Sequence, residues 1–241
     1  MTHLVAATTR SEPAAPISPL PVAVRRWIWA AAIVLVVFFV AHAAQRFFVF
    51  SEASYRNLWV NRYWLLPHVI GGAIALLAGG AQFWAGLRQR HPAIHRWTGR
   101  VYLAGVVIGA ASAYGMSFRP VLGWTFGTAT FVMASAWVIA TAMGLAAIRS
   151  GQVTAHREWM LRSYVVAFGF VTFRLMLISP LFAGLGSVPE RLTVLLWLSW
   201  TVPLLITEVA LQWKRSVVPP GTLGRRWTSR ASVRDGSATA G

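Results

Sequence analysis

The amino-acid sequence predicts an all-α integral membrane protein with about six transmembrane helices. Of its 241 residues, 56% are hydrophobic and only 12% are charged, whereas about a quarter of the residues of a soluble domain are charged. The hydrophobic residues are grouped in segments of about the 20 residues that a helix needs to cross a bilayer. Six such segments are predicted: 27–45, 64–87, 97–118, 120–148, 159–183 and 192–213.

The arginines between these segments predict the topology. If both termini and the loops after the second and fourth segments share one side, that side holds 16 of the 22 basic residues, and the opposite loops hold five. Because basic loops stay in the cytoplasm, we expect a bacterial inner-membrane protein with both termini cytoplasmic. The net charge of +16 is interspersed between apolar runs and does not form one basic stripe, so nucleic acid is not an expected partner.

The two ends of the chain differ from its centre. Residues 1–24 and 216–241 are rich in Pro, Ala, Ser, Thr and Gly, and we expect disordered cytoplasmic tails on a transmembrane domain of residues 25–215. An alternative for the first segment stays open. Arg25, Arg26, the apolar run and the stretch Ala41-His42-Ala43 also fit a signal peptide and its cleavage site.

A repeated cassette is the most informative feature of the chain. The pattern W-x-x-R-x-Y occurs twice, each time shortly after a His-Arg pair and at the start of a predicted helix. The first copy is His95, Arg96, Trp97, Arg100 and Tyr102, and the second is His156, Arg157, Trp159, Arg162 and Tyr164.

The repeat predicts how four of the helices are arranged. Both copies begin a helix from the same side, so the second and third segments match the fourth and fifth as parallel repeats. We therefore expect a four-helix core at residues 64–183, with the first and sixth helices peripheral. This symmetry predicts that His95 and His156 lie at one depth and face each other.

Small and polar residues recur at helical spacing and predict which faces point inward. On the second segment these are His68, Gly72, Ala75, Gly79 and Gln82, and Gly99, Gly105 and Gly109 form the corresponding surface of the third. On the fifth segment the same spacing connects His156, Met160, Ser163, Ala167, Phe170 and Arg174.

These residues resemble a family of predicted bacterial multi-pass membrane proteins, domain of unknown function 2306. The resemblance covers roughly residues 60–180. It rests on His68 with Gly71-Gly72, on Gln82-Phe83 and on the two His-Arg cassettes. It implies a membrane protein and no particular activity.

The histidines are the candidate cofactor ligands, because the chain has no cysteine to hold a metal as thiolate. His95 and His156 are predicted as the axial ligands of a b-type haem in an electron-transfer protein with a redox partner. Arg100 and Arg162 are predicted to bind its propionates. His42 and His68 form a candidate second site nearer the opposite surface.

Other interpretations of the same residues stay open. The arginines Arg96, Arg100, Arg157 and Arg162 could instead hold an anionic lipid headgroup or substrate, as in a transporter or a lipid-binding protein, or the chain could be a membrane scaffold. Arg174 is expected to neutralise an anionic group or to extend outward. Glu208 is expected to pair with Arg100, Arg162 or Lys214, with a proton relay as the alternative. No hydrolase or phosphate-loop motif occurs.

Overall fold

The computed structural model describes residues 45–88 and 91–217, together with scattered residues of the range 27–41. The described part of the chain is helical and contains no strand, which confirms the all-α prediction. It has five long helices: α1 Arg62–Arg88, α2 Pro92–Ser117, α3 Trp124–Arg149, α4 Val153–Ile178 and α5 Val188–Val217. Three short helical segments, Gln45–Phe48, Glu52–Tyr55 and Arg56–Asn61, precede α1.

Four stretches of the described chain are long and apolar enough to cross a membrane: Glu52–Phe83, Trp124–Arg149, Val153–Ile178 and Val188–Trp213. They correspond to the second, fourth, fifth and sixth predicted segments. The third corresponds to α2, a helix of 26 residues whose many Gly, Ala and Ser residues lower its hydropathy. Helix α2 packs along the length of α1.

The predicted first segment is described only in part. Its described residues between Trp27 and Ala41 are helical, and Val36 is buried in the same apolar core as α1–α5. The predicted disordered tails, apart from Ser216 and Val217 in α5, lie outside the described residues.

The four core helices form two similar antiparallel pairs. In the first pair, α1 has 27 residues and α2 has 26. In the second, α3 and α4 have 26 each. The helices α2 and α4 run in the same direction, because the short connections after α2 and after α3 each reverse the chain. Tyr102 of α2 lies against Ser163 of α4, at the same position in its cassette to within one residue. The predicted parallel repeat is therefore confirmed. We call the end of the bundle where α2 and α4 begin the cassette end.

Glycines bring α1 and α2 into backbone contact. A Cβ added at Gly71 would lie 2.5 Å from the amide nitrogen of Gly109 and 2.9 Å from the carbonyl oxygen of Gly105. The predicted roles of Gly105 and Gly109 are thus correct. Gly72 belongs to the predicted small-residue face of α1, but a Cβ there would meet nothing within 4 Å. The close approach belongs to Gly71, one residue earlier on the helix.

The last helix is more integral to the bundle than predicted. Helix α5 packs against α3 and α4, and Leu195, Leu196 and Trp200 are buried. Gly169 of α4 makes room for this packing, because a Cβ there would lie 3.0 Å from the Cβ of Trp200. The prediction of a peripheral sixth helix is therefore wrong. The residues of α5 alone could not indicate this packing, because the glycine that makes room for it lies on α4.

Substitution of the two adjacent glycines should separate the contribution of close packing to stability from the contribution of helix propensity. Gly71→Ala places a methyl group against the α2 backbone, and we expect it to destabilise the protein by about 1–3 kcal/mol, the usual cost of overpacking. Gly72→Ala is the matched control and should leave stability unchanged or slightly raised. Thermal unfolding in detergent measures both. Equal effects of the two substitutions would contradict the assigned contact.

Candidate functional site

A buried hydrogen-bond network joins three helices at the centre of the core. The Tyr102 hydroxyl lies 2.6 Å from Ser163 Oγ, and Thr141 Oγ1 lies 2.6 Å from the same Ser163 oxygen. Trp137 donates its indole N–H to the Tyr102 hydroxyl over 3.2 Å. The four side chains belong to α2, α3 and α4 and are all buried. They fix these helices in one register.

The second tyrosine of the repeat extends the network to α1. Tyr164 donates its hydroxyl to the carbonyl oxygen of Leu76 over 3.2 Å. Gly79 of α1 leaves room for both rings, since a Cβ there would meet the side chains of Tyr164 and Tyr102. The repeated tyrosines of the two cassettes therefore meet in the core.

This register determines where the cassette histidines lie. His95 precedes Tyr102 by seven residues, and His156 precedes Ser163 by seven. Seven residues are within about 20° of two full turns, so each histidine lies on the same face as the residue that makes the Tyr102–Ser163 contact. Both are about 10 Å closer to the cassette end, at 1.5 Å per residue. The register therefore predicts that they lie on facing sides of α2 and α4.

The surroundings of the two imidazoles support this placement and differ between them. His95 is close enough to His156 and Arg157 for their charges to act on it. His156 Nδ1 lies 2.8 Å from the carbonyl oxygen of Gly144 on α3. His95 Nδ1 is buried and has no hydrogen-bond partner among the described residues. The ring of His156 is thus oriented by the backbone, whereas one buried nitrogen of His95 lacks a partner.

Gln82 holds the first turn of α2 against α1. Its side-chain amide donates to the carbonyl oxygen of His95 and, over 2.9 Å, to Thr98 Oγ1. Gly99 leaves space for this amide, because a Cβ there would lie 2.8 Å from Gln82 Nε2. The predicted inward position of Gln82 is confirmed. Its contact positions the α2 backbone at His95.

The cassette arginines have different environments. The guanidinium of Arg100 lies 5.2 Å from the centroid of the Trp97 ring, and that of Arg162 lies 4.8 Å from the centroid of the Trp159 ring. Arg100 is exposed, and so are Arg96 and Arg157. Only Arg162 is mostly buried, with 13% of its side chain exposed.

Arg162 is committed to an ion pair. Its Nε and Nη2 atoms donate to the two carboxylate oxygens of Glu208 on α5, the latter over 3.0 Å. A carboxylate oxygen of Glu158 lies 3.9 Å away from its Nη1. Of the three partners predicted for Glu208, Arg162 is the one observed. The carboxylate of Glu208 occupies two of the five N–H donors of Arg162, and the binding of a propionate by Arg162 stays a prediction.

The candidate second site is only partly described. His68 Nδ1 lies 2.9 Å from the carbonyl oxygen of Gly109, and its ring packs edge-on against Phe170 at 4.9 Å between centroids. His42 lies outside the described residues, so its pairing with His68 stays a prediction. Arg174 is partly buried on α4.

Sequence reasoning missed the network that aligns the site. Ser163 stood on a predicted inward face and Tyr102 in a cassette, but nothing in the sequence linked them to Thr141 or Trp137. Within the described residues, no three His, Asp or Glu side chains come together as a metal site. A ligand set at the cassette end would therefore have to rely on the histidine pair.

Fold and polar residues together define a helical multi-pass membrane protein with a histidine pair near one end. A family model described as "Predicted membrane protein (DUF2306)" matches residues 65–211. Since the match covers more than half of the chain, the protein belongs to this family, and the resemblance found in the sequence is confirmed. The match also includes most of α5. No curated protein and no solved structure matches the chain.

Removing the Tyr102 hydroxyl should weaken the fold more than removing a hydroxyl with a single partner. Tyr102→Phe leaves Ser163 and the Trp137 indole short of a partner, and we expect a loss of about 1–2 kcal/mol, at the upper end of interhelical hydrogen bonds in membranes. Tyr114→Phe is the control, because the Tyr114 hydroxyl contacts only Ser135, at 3.1 Å. Unfolding in mixed detergents measures both, and an equal loss would contradict the central role of Tyr102.

Proposed function

We propose that the protein binds b-type haem between His95 and His156 and takes part in electron transfer in the membrane. The observation that carries the proposal is the register set by the Tyr102–Ser163 contact, from which two imidazoles on facing helices follow. Two neutral histidines are a common ligand set for haem within helical bundles. Haem would supply one-electron chemistry, and the chain would supply ligands, charge and exclusion of water.

The hydrogen bonding of each imidazole supports a role as a haem ligand. A hydrogen bond from Nδ1 to a backbone carbonyl leaves Nε2 as the nitrogen available for a metal, and such bonds typically orient metal-binding histidines. His156 has this arrangement with Gly144. The buried Nδ1 of His95 lacks a partner among the residues that the structure describes, and a buried polar atom without one is costly. A bound group that reorients this ring would relieve that cost.

The arginines suggest how propionates would be held. Because Arg162 is paired with Glu208, we assign this role to Arg96 and Arg157, which follow the two histidines directly and are exposed. Guanidinium groups bind carboxylates in a bidentate manner. We further infer that the cassette end faces the cytoplasm of a bacterial cell, with both termini on that side, because most basic residues belong to it.

An absorption spectrum tests the proposal. Detergent-purified protein, expressed with ample haem, should show a Soret band that shifts on reduction with dithionite. His95→Ala and His156→Ala should each abolish the band, because each removes an axial ligand. His91→Ala is the matched control and should retain it, since His91 is exposed and precedes the first turn of α2. Absence of the band from the wild type, or its survival in both alanine variants, would refute haem binding.

A second candidate function is the binding of an anionic lipid headgroup. The observation that favours it is the exposure of Arg96, Arg100 and Arg157 at the cassette end, with Arg100 stacked on Trp97, which is 66% exposed. Trp and Arg side chains are typical of the membrane interface. This function requires neither histidine.

Lipid titration distinguishes this second candidate. Each arginine near an anionic surface contributes about 1 kcal/mol, so the triple variant Arg96→Gln/Arg100→Gln/Arg157→Gln should bind a short-chain anionic phospholipid roughly 100-fold more weakly. Native mass spectrometry of detergent-purified protein measures the binding. Arg119→Gln, at the opposite end, is the control. Unchanged binding by the triple variant, or equal loss in His95→Ala/His156→Ala, would exclude the arginine site.

A further inference from the structure

A groove lies between α3, α4 and α5, and neither His95 nor His156 is among its lining residues. It has a volume of about 400 Å³, and Ile139, Trp159, Val166 and Leu204 contribute its apolar walls. This volume is within the range of small-molecule sites. Ile139 is 58% exposed on a helix that is apolar enough to span the membrane. The groove therefore opens sideways toward the acyl chains, and a ligand would enter from the lipid.

The groove contains one charged pair, Arg162 and Glu208. An ionised group in a transmembrane helix is costly and usually functional. The two side chains are joined by two hydrogen bonds, so their charges cancel within the groove. A guanidinium has five N–H donors and each carboxylate oxygen has two lone pairs, so the pair can still donate to one ligand atom and accept from another.

The charges around Arg162 select against an ionic head. Arg162 has carboxylates on two sides, Glu208 at hydrogen-bonding distance and Glu158 at 3.9 Å. An anionic head would meet the Glu208 carboxylate, which lines the groove, and a cationic head would meet the guanidinium. A neutral head with oxygen atoms that accept or donate hydrogen bonds meets no such penalty. The Trp159 indole supplies a flat aromatic wall beside this pair, suited to a planar ring.

We propose that this groove binds a lipid-soluble quinone or its hydroquinone. The ring oxygens would lie at the Arg162–Glu208 pair, the ring would pack against Trp159, and the hydrocarbon tail would leave past Ile139 into the bilayer. The proposal concerns binding alone and does not depend on haem at His95 and His156. Arg162 follows His156 by six residues, about 9 Å along α4, so a ligand here would lie near the histidine pair.

Calorimetric titration with a decyl-substituted benzoquinone tests the site. Detergent-purified wild type should bind one equivalent saturably. Ile139→Trp should weaken binding at least tenfold by filling the groove from its lipid side, where the larger side chain disturbs no core contact. Val138→Trp, on the neighbouring position of α3 and outside the groove lining, is the matched control and should bind like the wild type.

The polar end of the groove is tested by Glu208→Gln, which removes the charge and keeps the volume. We expect at least a tenfold loss, whereas Glu190→Gln at the start of α5 should have no effect. The neutral-head argument also predicts that decyl phosphate and decylamine do not compete with the quinone. Competition by either compound, or the same affinity in Ile139→Trp and wild type, would overturn the assignment.

Two further outcomes would show that the quinone assignment is wrong. If wild type shows no saturable binding of the quinone, the proposal is wrong. If native mass spectrometry finds a phospholipid that the wild type retains and Ile139→Trp loses, the occupant is a phospholipid and the quinone assignment is also wrong. Absorption spectra of the same samples report haem separately, so quinone binding without a Soret band would refute the proposed function and leave this site standing.

Discussion

The contact between Tyr102 and Ser163 is the constraint on which the rest of the structure depends. It lies at the centre of the bundle, it is buried, and Thr141 and Trp137 bring α3 into the same network. In lipid, burying an apolar helix surface against another helix gains little free energy, because the lipid tails are equally apolar. Hydrogen bonds and close packing therefore decide how the helices associate. A single buried network therefore sets the register of α2, α3 and α4 and, through it, the depth of the histidines.

The composition of α2 follows from its position. It packs against α1 through Gly105 and Gly109 and contacts α4 through Tyr102, so it needs small residues and a few polar ones. Those residues keep α2 out of the group of helices that are apolar enough by themselves to cross a membrane. The pairing of Arg162 with Glu208 has a comparable origin, since a guanidinium at this depth is tolerable only with a partner. Among the described residues, that same pair supplies the charged groups of the groove between α3, α4 and α5.

Much of the fold could be predicted because its signals are local. Apolar segments of spanning length predicted six helices, of which the described residues contain five as long helices, and the repeated cassette predicted that two helix pairs are related as parallel repeats. Which residues contact each other across neighbouring helices could not be predicted in this way. Gly71 and Gly72 are 100° apart on α1, and helical spacing alone does not show that Gly71 makes the closest approach to α2. Three basic residues were equally good partners for Glu208 until α4 and α5 were placed. Thr141 carried no signal, because its role exists only when α3 lies beside Ser163.

The central claim is that the repeat brings His95 and His156 to face each other, and cysteine cross-linking tests it most directly. The chain has no cysteine, so the double variant His95→Cys/His156→Cys introduces a single pair. A short bifunctional thiol reagent should cross-link it within one molecule, as detected by mass spectrometry. Arg96→Cys/Arg157→Cys, turned 100° away on each helix, should react far less. No cross-link in the histidine pair, or equal yields in both pairs, would contradict the claim.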